Sequence, residues 1–331
     1  MPYSMRPSPL TFPIALLLAG GLIACNRRES SATRTGTASD DRALAESAAV
    51  YEKQGKMFRK VGETPNLQAP ESARYDEDLD VWFISNINGQ PGIKDNNGFI
   101  SRVRPDGTPY NLKFIEGGKN GVTLNAPKGL AISGDTLWVA DIDAARAFNK
   151  RTGAVIANVH IRGRAKFLNG SAVGPDGIYM TDTGIIFGSK GDVSHPGPDQ
   201  VFRIRAHGDA EAVLTTPKLE GPNGITWDPK EKRFVIVSFL GKGIYGWKPG
   251  DKDIQLLGNG PGQQDGVLVL SDGRIVATSW ADSSLFVLDN GKASKVASGV
   301  ASPADIDIDP KDSRIAVPQL MVNVVQFLEV P

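Results

Sequence analysis

One cysteine in 331 residues leaves no partner for an internal disulfide. That cysteine and three histidines (His160, His195, His207) exclude a multi-histidine or cysteine-rich zinc centre. Any metal would have to be a hard ion held by oxygen. Lysine and arginine form no run, and 37 of them balance 37 acidic residues. The basic face that a nucleic acid needs is therefore missing. Long apolar runs are missing too. The stretch 12–24 is short, carries Pro13, and cannot span a bilayer core as a helix. What is abundant is turn chemistry, 37 glycines and 22 prolines, beside 40% apolar residues. That content supplies ample core for one large all-β domain or two ordinary ones.

The short apolar stretch reads as a signal segment, preceded by Arg6 and ending Leu22-Ile23-Ala24-Cys25. This ending resembles a bacterial lipobox, in which the cysteine is lipidated and becomes the first mature residue. The alternative is an ordinary signal peptide with an incidental cysteine. With Cys25 lipidated, the chain is exported and held at the cell envelope by acyl chains, without crossing the membrane. Asn26, where an aspartate would retain a lipoprotein at the inner membrane, points to the outer membrane. Residues 26–42 are polar, rich in Ser and Thr and aperiodic, as a solvated tether is. Residues 41–54 are rich in helix formers, with Asp40 or Asp41 available as a cap. The expected organisation is a signal over 1–24, a tether with a short helix over 25–54, and a folded domain over 55–331.

From about residue 69 the chain repeats. A Pro- or Gly-rich approach, an alternating strand, a tight turn and a second strand recur at 69–86, 126–141, 168–182, 222–238, 264–279 and 303–318. Alternation such as Leu137/Val139 against Trp138/Ala140 has a period of two, which marks strands. The turns carry hairpin residues, as in Pro175-Asp176-Gly177 and Ser271-Asp272-Gly273. Further strands follow in most copies. Six such copies predict an all-β, six-bladed β-propeller. The last copy has room for only three strands, so 56–62 is expected to supply the fourth and close the ring. Two β-sandwiches would show a composition break mid-chain, and none is visible.

Aligned on the residue that opens each inner strand, the copies present Glu71, Lys128, Asn169, Asn223, Asp265 and Ala304. In a propeller these positions converge on the axial channel at one face. Four of the six offer oxygen: two carboxylates and two amides, a set suited to calcium. Taken singly, Asn-Gly and Asp-Gly are also common turn pairs.

The phrases PESARYDEDLDVWFISN, FLNGSAVGPDGIYMTDTG, PNGITWDPKEKRF and QDGVLVLSDGRIVATSW resemble the senescence-marker-protein/gluconolactonase/luciferin-regenerating-enzyme family over residues 69–331. The resemblance implies a six-bladed propeller with a divalent metal, usually calcium, at the channel mouth, and hydrolysis of a lactone or related ester. It implies Glu71, Asn223 and Asp265 as direct ligands and Asn169 as a ligand directly or through water. It also implies Asp265 as general base or nucleophile. The chain departs from the family pattern at Phe167, where many members carry Arg, at Gly170, where Asp is common, and at Lys128.

The pocket candidates are Lys128, Phe167, His195 and Trp280. Lys128 is expected to face solvent, with contact to an anionic substrate as the alternative. His195, in the longest of the loops that should border the site, is either a surface histidine or a substrate contact. Two function classes follow. One is a calcium-dependent lactone or ester hydrolase; the other is a non-catalytic propeller lipoprotein that binds a protein or glycan.

Overall fold

A computed structural model describes residues 56–161, 163–188, 192–205 and 208–331. Cys25, the signal segment, the tether, the 41–54 helix and His207 lie outside these residues. Within them the chain forms six four-stranded antiparallel sheets arranged as the blades of a β-propeller, with no α-helix among the described residues. The inner strands of the six blades are Pro70–Asp76, Pro127–Ser133, Leu168–Gly174, Pro222–Asp228, Gln264–Val269 and Asp307–Asp309.

Period-two alternation places each strand's side chains against two different neighbours. In Thr136–Asp141, Leu137 and Val139 pack with blade one, whereas Trp138 and Ala140 pack with blade three. In Arg233–Ser238, Phe234 and Ile236 face blade three while Val235 and Val237 face blade five. The core is accordingly a set of apolar seams, one at each blade-to-blade interface. Trp82, Phe83, Phe148, Phe202, Phe234, Phe286 and Phe327 are fully buried in these seams. Burying such a side chain contributes ~1.5–3 kcal/mol. The hairpin turns use the chemistry their sequences carry. At Gly273 the backbone takes φ of 92°, a value that favours glycine, and Asp272 accepts a hydrogen bond from the Arg274 amide.

The ring closes by pairing the two ends of the described chain. Arg59–Thr64 lies antiparallel to Val324–Glu329 as the outermost strand of blade six. The closing strand sits slightly further along than the 56–62 read from the sequence, because Thr64 still has a partner in Val325. This pairing removes what would otherwise be an open sheet at the junction. Blade three carries an insertion after its second strand, in which Ile186–Phe187 and Val193–Ser194 form a two-stranded hairpin.

Candidate functional site

In each of the first five blades the pairing between inner and second strand slips where the channel residue sits. The slips fall between Pro70/Ala73, Pro127/Leu130, Leu168/Ser171, Pro222/Ile225 and Gln264/Val267. Such a bulge re-aims a side chain, and here each one spans a single channel residue. Hydroxyls on the second strands fill the interrupted ladder. Ser85, Thr181 and Thr278 accept hydrogen bonds from the amides of Ser72, Gly170 and Gly266.

The residue after the channel position is glycine in blades two to five, for reasons of space. A Cβ on Gly129, Gly170, Gly224 or Gly266 would lie 2.3–2.5 Å from the carbonyl oxygen of Asn169, Asn223, Asp265 or Ala304 in the next blade. These Lys-Gly, Asn-Gly and Asp-Gly pairs are therefore not turns. They are the points where successive inner strands meet around the axis. The Gly170 departure noted in the sequence has the same cause.

The bulges bring Glu71, Lys128, Asn169, Asn223 and Asp265 to one cavity, which offers about 90 Å³ to the centres of water-sized molecules. One water needs ~10–15 Å³ on this measure, so a small ligand fits beside an ion. Phe167, Ile185, Phe187, Phe239, Trp280 and Leu320 contribute most of its apolar wall. Phe239 and Trp280 meet edge to face at 5.8 Å between ring centroids. Phe167 lies 5.2 Å from Phe187 of the blade-three hairpin. Thus the polar groups sit at the strand ends, and the loops above them supply hydrocarbon.

The channel residues are buried, and one oxygen on each of four is without a hydrogen-bond partner among the described residues: Glu71 Oε2, Asn169 Oδ1, Asn223 Oδ1 and Asp265 Oδ1. Leaving a buried acceptor unpaired costs ~1–3 kcal/mol, more for a charge, so four in one cavity make it a candidate ligand site lined by acceptors. Asn169 is oriented by donating from Nδ2 to Thr183 Oγ1 at 3.1 Å, which turns its carbonyl oxygen toward the cavity. Burial pushes Glu71 well above the ordinary carboxylate range, and the charges of Asp265 and Asp305 add to it. Asp265 is raised by burial and by Asp305, while the polar groups of Trp280 and Asn223 oppose the shift. Trp280 Nε1 closes no hydrogen bond of ordinary geometry. The donor set of two carboxylates and two amide oxygens fits a hard divalent cation of the calcium kind. Among the described residues no group of three or more His, Cys, Asp or Glu is placed to hold a metal ion, so an ion in this cavity would depend on the two amide oxygens beside the two carboxylates.

Lys128 departs from its sequence expectation. It is 1% exposed and lies in the cavity wall, not in solvent. Its Nζ donates to the Ala126 carbonyl at 2.9 Å and sits 4.2 Å from the centroid of the Phe167 ring. Burial pushes it down to about 8, against the opposing charges of Glu71 and Asp141. His195 is not among the residues lining the cavity. It pairs with Asp199 at 2.6 Å, and Asp199 in turn accepts from the Gly221 amide. Asp141 and Asp182, which end second strands, accept hydrogen bonds from the approach to the preceding inner strand: Asn125 and Ala126 for the first, Lys166 and Phe167 for the second.

Two features escaped the sequence reading. Asp305 follows Ala304 in blade six and is pushed up to about 6, chiefly by burial. It accepts from Ser72 Oγ at 2.7 Å and Arg74 Nη2 at 3.0 Å, so a second polar layer lies next to the first. The alternating aspartates 305, 307 and 309 are the only hint of it in the sequence. Leu320 and Met321, in a short 3-10 turn after the second strand of blade six, complete the cavity rim.

No family model matches the chain, and no curated protein matches it. Solved structures do. A luciferin-regenerating enzyme superposes with a TM-score of 0.62 at 10% identity, over 83% of this chain and 94% of that one. A gluconolactonase from Xanthomonas campestris gives 0.61 at 16% identity, over 83% and 94%. A chain of a nidogen/laminin complex gives 0.55 at 16%, over 72% and 90%. Likeness at this identity shows the fold alone, and the matched propellers range from enzymes to a chain from a protein–protein complex.

Proposed function

We propose that the chain is a divalent-metal-dependent hydrolase of a lactone or related ester, with calcium the best-fitting ion. One observation carries the reading: four buried, unpartnered oxygens from four blades converge on one cavity. Glu71, Asn169, Asn223 and Asp265 would hold the ion, two negative charges balancing the dication. When bound there, calcium supplies Lewis acidity toward a carbonyl oxygen and acidifies water.

The chain's own residues do the rest. Asp265 accepts the proton of the attacking water as its oxygen bonds to the carbonyl carbon, then returns it to the leaving alkoxide as the C–O bond breaks. Burial and Asp305 raise the proton affinity of Asp265 in the metal-free chain; a dication beside it would lower that affinity, so the attacking water would have to be acidified by the ion as well. Asn169 and Asn223 fix the floor, and Phe167, Phe239 and Trp280 exclude bulk water from the acyl group. The resemblance at 69–331 and the two enzyme folds support this reading. Tethered through Cys25, the cavity would act at the cell envelope.

A second reading is favoured by exposed apolar residues beside the rim, Ile93, Ile186 and Met321. It is a non-catalytic propeller that binds a protein or glycan. One experiment separates the two. Purified full-length protein and Asp265→Ala are assayed for calcium content and for hydrolysis of γ-butyrolactone, γ-decanolactone, glucono-δ-lactone and phenyl acetate. Calcium and turnover in the wild type, both lost in the variant, are expected. A wild type that takes up no divalent ion in excess calcium sinks the hydrolase reading, and bound calcium without turnover leaves the scaffold.

A further inference from the structure

Among the described residues three basic side chains are buried, and two of them are paired: Arg146 meets Asp141 at 2.9 Å and Lys150 meets Asp76 at 2.7 Å. Lys128 is as buried as any of them, yet no carboxylate of the described residues lies within ion-pairing distance. Its ammonium is held by carbonyl oxygens, Ala126 at 2.9 Å and Pro91 at 3.4 Å, and by the face of Phe167. Those contacts fix the position of the charge without neutralising it. A buried, uncompensated charge is costly, and its retention on a cavity wall points to a ligand that completes it.

We propose that Lys128 is an anion anchor and that the substrate is an ester or lactone carrying a free carboxylate on an apolar body. The inference rests on the reading of the cavity as an ester or lactone site. The charge balance supports it. In the metal-free chain Glu71 is the opposing charge that acts most strongly on Lys128 and favours its ammonium form. With Glu71 and Asp265 engaged by a dication, the ammonium is left as the net charge of the floor, and an anion balances it. The wall chemistry sets the remainder of the ligand. Phe167, Phe187, Phe239 and Leu320 bond no hydroxyls and Trp280 offers a single indole N–H, so a polyhydroxylated sugar lactone would lose most of its water contacts there without replacement. An alkyl or aryl body gains from the same walls.

The test uses the monoanilide of glutaric acid, in which an unreactive anilide stands for the ester and a carboxylate occupies the far end. Its terminal amide is the neutral control. Affinities for both are measured by calorimetry on the full-length protein and on Lys128→Met, at neutral pH with saturating calcium. Circular dichroism confirms that the variant is folded. The wild type is expected to bind the acid at least tenfold more tightly than the amide. Lys128→Met is expected to reduce that preference below threefold while holding the amide as the wild type does. Equal binding of acid and amide by the wild type overturns the proposal, as does binding of neither. A preference that survives in Lys128→Met also overturns it, because the carboxylate is then held by the ion or by another group. Neutral esters are assayed alongside. Hydrolysis of those without any carboxylate preference removes this inference and leaves the hydrolase reading standing. A Lys128-dependent preference without hydrolysis of any ester removes the hydrolase reading and with it the ester or lactone, and keeps Lys128 as an anion anchor for a carboxylate ligand.

Discussion

Replacing Asp265 by Asn tests the electrostatic logic of the channel, because it should have opposite effects with and without the ion. In the metal-free chain burial raises both Glu71 and Asp265, Asp305 adds to both and Asp265 adds to Glu71, so their ionised forms oppose the fold. Removing one such charge at neutral pH is expected to stabilise the metal-free protein by ~1–3 kcal/mol. For a domain of this size that corresponds to a rise in Tm of roughly 2–8 °C. With calcium the order reverses. A ligand at a hundredfold its Kd stabilises by ~2.7 kcal/mol, and only the wild type keeps both charges needed to bind it. The assay is a thermal melt of wild type and Asp265→Asn in chelator and in calcium. Acidity gives an internal check. A carboxyl with a raised native pKa takes up its proton as pH falls through that value, so the wild type recovers and the advantage of Asp265→Asn in chelator shrinks toward pH 4–5, roughly the range of free carboxyls. The reasoning is refuted if Asp265→Asn melts below the wild type in chelator at pH 7, or if calcium raises both proteins equally.

Two further outcomes follow from the packing. His195 has a raised pKa because it bonds Asp199, so its contribution to stability is full below the unfolded value of ~6.5 and is lost as pH rises through the native value. His195→Gln should therefore melt below the wild type near pH 5.5, with the gap closing near pH 9, and a gap that widens with pH would contradict the pairing. Gly224→Ala places a Cβ 2.3 Å from the Asp265 carbonyl oxygen, so blade four must move away from blade five. A loss of ~1–3 kcal/mol in urea unfolding and weaker calcium binding are expected, whereas an unchanged stability would show that the inner strands have slack.

Much of this architecture was legible in the chain itself because the signals are local. Alternation such as Leu137/Val139 against Trp138/Ala140 is a property of a few consecutive residues, and so are the Asp-Gly turns. Repetition then fixed the number of blades, and the register of the copies singled out Glu71, Asn169, Asn223 and Asp265, which the structure brings to one cavity. The register left their glycines unexplained. Asn169-Gly170 and Asn223-Gly224 look like turns in one dimension, but their requirement for glycine comes from a carbonyl in the next blade, distant in sequence.

What the sequence determined by itself was thus the strand pattern, the count of blades, and the oxygen-bearing positions, each set by neighbours along the chain or by the repeat. Only the tertiary structure decided the rest. It turned Lys128 inward against Phe167 and Ala126, drew His195 away to Asp199, placed Asp305 beside the floor, and walled the cavity with Phe187 and Leu320. The physical reason is the ring. Closing six blades on one axis makes neighbours of groups that no local pattern relates, and burial there sets their charge and orientation.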